Sequence, residues 1–264
     1  ALRVIKEKKH GEKSVSSFQA LMISTASRVG TGNIAGVATA IAAGGPGSVL
    51  WMWLLAVLGS ASAFIESTLA QIYKTKDGDQ FRGGPAYYIQ AALKKRWLGI
   101  LFSVALILCF AYGFNGLQSY NVSSAIEYYC GDNAFLKQYI PLIVGAVLAV
   151  LTALVIFGGV HRISFITSIV VPIMALLYIG LGLFITFKNI SVVPQVFSDI
   201  FTQAFDFRSI AGGFAGSCVM QGIKRGLFSN EAGMGSAPNA AATADVSHPV
   251  KQGLVQMLSV FIDT

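Results

Sequence analysis

Long apolar runs separated by short polar segments rich in Lys and Arg lay out this chain. About 20 mostly apolar residues are needed to cross a hydrocarbon core roughly 30 Å thick. Seven stretches predict such helices, at 18–43, 48–73, 98–126, 138–159, 164–187, 209–228 and 250–264, the last cut short where the chain stops. Between the second and third, Gly83-Gly84-Pro85 followed by Ala86 to Leu93 predicts either a short interfacial helix or a plain connector. Ser191 to Asp206, with Pro194, Phe197, Ile200 and Phe201 and little charge, predicts an amphipathic helix over the opposite mouth.

Composition agrees with a membrane protein. The 264 residues are 54% hydrophobic and only 12% charged, with a mean hydropathy of +0.65, which excludes a soluble domain and a disordered chain. The 28 glycines follow no Gly-X-Y period, so collagen is excluded. Cys109, Cys130 and Cys218 are far apart and read as packing residues rather than a disulfide frame. The chain begins at Ala1 and ends inside an apolar run, which reads as a fragment, and no signal peptide is recognisable.

The net charge of +7 acquires meaning from its placement. If every run crosses once, fifteen of the nineteen basic residues fall on one side, from Arg3 through Lys251. Only Lys137, Lys188 and Arg208 fall on the other, and Arg28 sits inside a run. The excess of positive loops puts the N-terminus in the cytoplasm. A nucleic-acid partner is therefore not expected.

Chemistry concentrates in the first run, Ala26-Ser27-Arg28-Val29-Gly30-Thr31-Gly32-Asn33, at mid-membrane depth. Glycine disfavours a continuous helix, and unpaired amides in hydrocarbon are tolerated only where they line a cavity or meet a ligand. The pattern predicts a discontinuous helix, with small-residue helix packing as the other reading of its glycines. Gly212, Gly213 and Gly216 repeat the anomaly in the sixth run. An odd offset of five spans makes the two interrupted segments run in opposite directions. Arg28, Glu66 and Asp263 are the intramembrane charges, functional candidates by default. Glu66 either accepts from the amides of a broken helix or snorkels to the interface. Gln118, with Asn115 and Tyr120, faces either a central site or another helix. His10, His161 and His248 lack metal-ligand spacing, and no catalytic constellation points to an enzyme.

The run from Gly30 to Trp53, GTGNIAGVATAIAAGGPGSVLWMW, strongly resembles a signature of the alanine or glycine:cation symporter family. So do Lys224 to Pro238, KRGLFSNEAGMGSAP, then His248-Pro249 and Val260 to Thr264. The resemblance extends from about Gly11 to the last residue. It implies an all-α integral membrane protein with the LeuT-like five-plus-five inverted repeat and discontinuous first and sixth helices, present here only in part. Residues 1–17 would be a basic cytoplasmic segment, 18–187 the first five-helix repeat, 188–208 an extracellular loop and 209–264 the start of the second repeat. The implied function is sodium-coupled uptake of small neutral amino acids, alanine or glycine, by a monomer in a prokaryotic plasma membrane. Na⁺ is the coupling ion and no cofactor is implied; proton coupling, or a non-transporting channel or scaffold subunit, stays open.

The resemblance also implies site residues. The substrate carboxylate would sit at Thr31, Gly32 and Asn33, and carbonyls of Ala26 and Val29 would hold part of a sodium site. Gly213, Gly216 and Ser217 would meet the substrate, with Met220 bounding the pocket and Phe114 and Gln118 contributed by the third run. Arg28 would either replace a second sodium ion, pair with Glu66 or face water.

Overall fold

The computed structural model describes residues 2–5, 15–78, 80–130, 134–205 and 217–264. The first apolar run is two helices, α1 (Ser17–Arg28) and α2 (Thr31–Gly44). A capping box starts α1: the Gln19 amide donates to Ser16 Oγ at 3.1 Å and the Ser16 amide to Gln19 Oε1 at 3.0 Å, satisfying donors that helix geometry leaves open. Past a turn at Gly45, α3 (Ser48–Ile72) is a full span. Ser48, Met52, Ala56, Ser60, Ala63, Ser67 and Ala70 form its buried face, mostly small residues that let other backbones approach.

A hairpin, β1 (Thr75–Asp77) with β2 (Gln80–Arg82), then leads to α4 (Pro85–Leu93). The hairpin, absent from the sequence reading, is closed by an Asp77–Arg82 ion pair of 2.6 Å. The helix expected at Ala86 to Leu93 is present, with Pro85 at its first position, where no amide donor is missed. The third run is one apolar stretch of 32 residues, Arg96–Glu127. It consists of α5 (Arg96–Ile107), a π-helical segment Leu108–Phe114, and α6 (Asn115–Glu127). After it come α7 (Ala134–Ile156) and α8 (Gly159–Lys188). The amphipathic helix expected on the far side is α9 (Val193–Ala204); Asp206 lies outside the described residues.

The remaining helices are α10 (Cys218–Asn230), α11 (Ser236–Thr243) and α12 (Pro249–Asp263). Four helices among the described residues are long and apolar enough to cross a membrane, α3, the Arg96–Glu127 stretch, α7 and α8. The count differs from seven because the first run divides into halves of 12 and 14 residues, α12 has 15, and residues 209–216 of the sixth run lie outside the described residues.

Leu21 and Met22 of α1, Val171 of α8 and Val255 of α12 form one buried cluster; Ala56 and Ala63 of α3 join Val260 of α12 in another. A Cβ at Gly226 of α10 would lie 2.8 Å from Leu55 Cβ, so only glycine permits that approach to α3. In contrast, α7 and α8 present Leu142, Ile143, Leu176 and Leu177 outward, as expected of lipid-facing surfaces.

Candidate functional site

The interruption expected in the first run lies at Val29 and Gly30, which are both extended, with ψ 97° at Val29 and φ −140°, ψ −164° at Gly30. Thr31, Gly32 and Asn33 are therefore the first turn of α2 rather than unwound chain. The Asn33 and Ile34 amides return to the Gly30 carbonyl at 3.1 and 3.3 Å. Helix geometry leaves the two amides before them, of Thr31 and Gly32, with no acceptor inside α2. The break thus joins the negative end of α1 to the positive end of α2.

Two glycines admit neighbours from distant helices. A Cβ at Gly30 would collide with the Gln118 side-chain amide, and one at Gly32 with the Phe228 ring. Phe228 stacks on Phe114 with centroids 5.1 Å apart, and Phe114 on Phe110 at 4.7 Å, so an aromatic column from the π-helical segment ends over Gly32. The structure thus places Gln118 beside Gly30, and Phe114, through Phe228, beside Gly32. Phe228 completes the group; its signal was present in the KRGLFSN run but not separable from its neighbours.

Ser217 and Met220 lie elsewhere. Along antiparallel α2 and α10, Gly32 faces Phe228, Gly36 faces Arg225 and Gly44 faces Gln221. Met220 is eight residues from Phe228, about 12 Å along a helix, so Phe228 occupies the place expected of Met220. Ser217 caps α10, accepting from the Met220 amide at 3.3 Å. Gly213 and Gly216, and with them the expected interruption of the sixth run, lie outside the described residues, as does the Thr31 side chain.

Polar groups collect on the other side of the break. The Asn33 side-chain Nδ2 donates to Asp263 Oδ1, and Ser229 Oγ donates to Asp263 Oδ2 at 2.9 Å, uniting α2, α10 and α12. They border a cavity of about 340 Å³ that Thr25 and Val29 also line. Ala26 packs instead against the Leu21–Val255 cluster. Only carbonyls of the last α1 turn, not side chains, are available from Ala26 and Val29 to a cation.

Arg28 is 3% exposed, which removes the reading that it faces water. Its Nη1 lies 3.4 Å from the Gln256 carbonyl, while Nε and Nη2 have no hydrogen-bond partner among the described residues. Asp263, Glu231 and Glu66 act on its charge from a distance rather than through a direct ion pair. Glu66 accepts from the Gly233 amide at 2.5 Å. Its partner is thus an amide of the loop after α10, not an amide of the interrupted first helix as one reading expected. Its charge also reaches Tyr88 of α4, whose hydroxyl is pushed up to about 12, first by burial and then by Glu66. Glu231, 2% exposed, accepts from Ser27 at 3.0 Å and from Ser236, tying the end of α1 to that same loop.

Along the α1–α12 contact runs a polar seam. Gln252 Nε2 donates to Ser17 Oγ at 3.1 Å, and the Thr25 and Ser259 hydroxyls are 3.3 Å apart. Gln252 Oε1 and both side-chain polar atoms of Gln256 lack a partner among the described residues.

The model of the Sodium:alanine symporter family matches residues 1–264. Amino-acid carrier protein AlsT of Bacillus subtilis (strain 168) is 53% identical over 99% of this chain and 55% of its own length. Probable sodium/glutamine symporter GlnT of the same organism is 52% identical over 100% and 54%. Sodium/alanine symporter AgcS of Methanococcus maripaludis is 44% identical over 96% and 55%. The chain thus spans about half the length of the curated relatives it matches. These are carriers and symporters, not enzymes. With its whole length matched and an interrupted first helix at the centre of its polar cluster, the chain belongs to the Sodium:alanine symporter family.

Proposed function

We propose that the protein carries out sodium-coupled uptake of small neutral amino acids by alternating access at the Val29–Gly30 break. The observation carrying this reading is the convergence of Gln118, Phe228 and the Asn33–Asp263 pair on that break. A substrate carboxylate would meet the amides of Thr31 and Gly32 at the positive end of α2. The missing Cβ of Gly32 admits the Phe228 ring beside the backbone, and Phe228 with Phe114 limits the room for a substrate side chain, which favours alanine or glycine. The carbonyls of Ala26 and Val29, at the negative end of α1, would contribute to the sodium site. Ser217, Met220, Gly213 and Gly216 remain candidates only in a conformation that brings the start of α10 to the break.

The antiparallel course of α2 and α10 supports a LeuT-like five-plus-five inverted repeat, and the basic loops support a cytoplasmic N-terminus in a prokaryotic plasma membrane. A monomer suffices, because the proposed groups all come from one chain. The test is uptake of labelled alanine, glycine and glutamine into proteoliposomes, with a sodium gradient, with a proton gradient and with neither. Glutamine enters because of the relative named for it. Saturable uptake driven by sodium is expected; uptake indifferent to sodium, or linear in substrate, would overturn the reading.

A further inference from the structure

Away from the break, α4 and α5 touch where a Cβ at Gly99 would lie 2.8 Å from the Ala86 carbonyl. Beside this contact opens a cleft of about 580 Å³, the size of a small-ligand site. Its polarity is graded. Arg96, Gln90 and Tyr87 line one part of it, and Ile100, Ser103 and Val104 continue along α5. From Arg96 to Val104 the helix rises about 12 Å, so the cleft passes from a charged end into the apolar zone of a span.

Among the described residues, no acidic side chain lines the cleft. The nearby sequence carries Lys74, Lys76, Arg82, Lys94, Lys95 and Arg96 against Asp77 and Asp79, and Asp77 is already paired with Arg82. Trp97 is 62% exposed and Tyr87 37%, amphipathic rings suited to the level of lipid headgroups. A soluble anion would find no use for the Ile100–Val104 wall, and an apolar ligand none for Arg96. A phospholipid uses both.

We infer that this cleft binds a phospholipid of net negative headgroup charge, its phosphate against Arg96 and an acyl chain along Ile100 and Val104. Basic pockets at the cytoplasmic membrane face recognise anionic headgroups through the same charge pairing. The choice of leaflet rests on the orientation proposed above; the choice of lipid rests on the cleft itself.

Native mass spectrometry decides, using the purified protein released from nanodiscs with equal phosphatidylglycerol and phosphatidylcholine. About fivefold enrichment of phosphatidylglycerol adducts is expected per engaged basic residue. Arg96→Gln should bring the two lipids to parity and Arg96→Lys should keep the preference. Ser103→Phe, which fills the cleft without changing charge, should remove the adducts. Circular dichroism and sodium-driven uptake in phosphatidylcholine should stay unchanged in all three. Parity in the unaltered protein, or enrichment that survives both Arg96→Gln and Ser103→Phe, would overturn the site. Displacement by soluble glycerophosphoglycerol would overturn the lipid in favour of a free anion. Labelling of Lys94→Cys by an impermeant maleimide only from outside, in a background without native cysteines, would overturn the cytoplasmic-leaflet site.

Discussion

Gln256 lies fully buried on α12, with neither side-chain polar atom partnered among the described residues. Its backbone carbonyl, not its amide, faces Arg28. Burying an amide without compensation costs about 1–3 kcal/mol by protein mutational measures. Gln256→Met keeps an unbranched chain and the carbonyl while deleting the polar atoms. The packing change of such a swap usually costs less than about 1.5 kcal/mol, so a net stabilisation of about 1 kcal/mol is expected, or a midpoint rise of roughly 2–4 °C for a chain this size. Transport should move the other way. If α1 separates from α12 during the cycle, water reaches the Gln252–Gln256 seam in the open form and compensates its amides there. Removing the amide then favours the closed form, and 1 kcal/mol of bias lowers the open population about fivefold. Thermal unfolding in detergent, read beside alanine uptake, tests both halves. A lower midpoint with proportionally lower uptake would refute the reasoning, because it would mean that the amide is satisfied in the folded protein.

Gly32→Leu should abolish alanine binding while leaving membrane insertion intact, since a side chain there occupies the place of the Phe228 ring and the free amides; normal alanine affinity by scintillation proximity would remove the site from this break. Phe228→Ala should raise the KM for alanine about tenfold and improve uptake of glutamine relative to alanine, because it removes the ring over Gly32. An unchanged substrate ratio would show that the ring does not bound the pocket. In a background without native cysteines, a cysteine at Ser191 should react with an impermeant maleimide from outside and one at Asp79 should not; reversed labelling overturns the orientation.

The interrupted first helix was legible because its cause is local. Three glycines with Arg28 and Asn33 at mid-span contradict an ordinary membrane helix whatever surrounds them. The break itself falls at Val29–Gly30, directly before the expected unwound residues, since Thr31 to Asn33 can continue into α2 once Gly30 is extended. The meeting of Asn33 with Asp263 was not legible. These residues are 230 positions apart, and no periodicity links them. Phe228 was hidden for the same reason: its role follows from α10 passing α2 antiparallel at Gly32. A window of about 20 apolar residues also cannot recognise half-helices of 12 and 14.

The glycines that sequence reasoning assigned either to a broken helix or to helix packing do both, at different positions. At Gly30 the chain is extended and a Cβ would strike Gln118, so one residue supplies the break and admits a polar neighbour to it. At Gly36, inside continuous α2, a Cβ would lie 3.3 Å from Arg225 Nη1, which is packing alone. Gly32 stands between these cases, helical yet beside the free amides and covered by an aromatic ring. Substitutions should therefore separate along the series: at Gly36 and Gly44 they act first on stability through the α2–α10 contact, and at Gly30 and Gly32 first on substrate affinity. Loss of affinity and stability in equal measure at all four positions would show that the series serves only to pack α2 against α10.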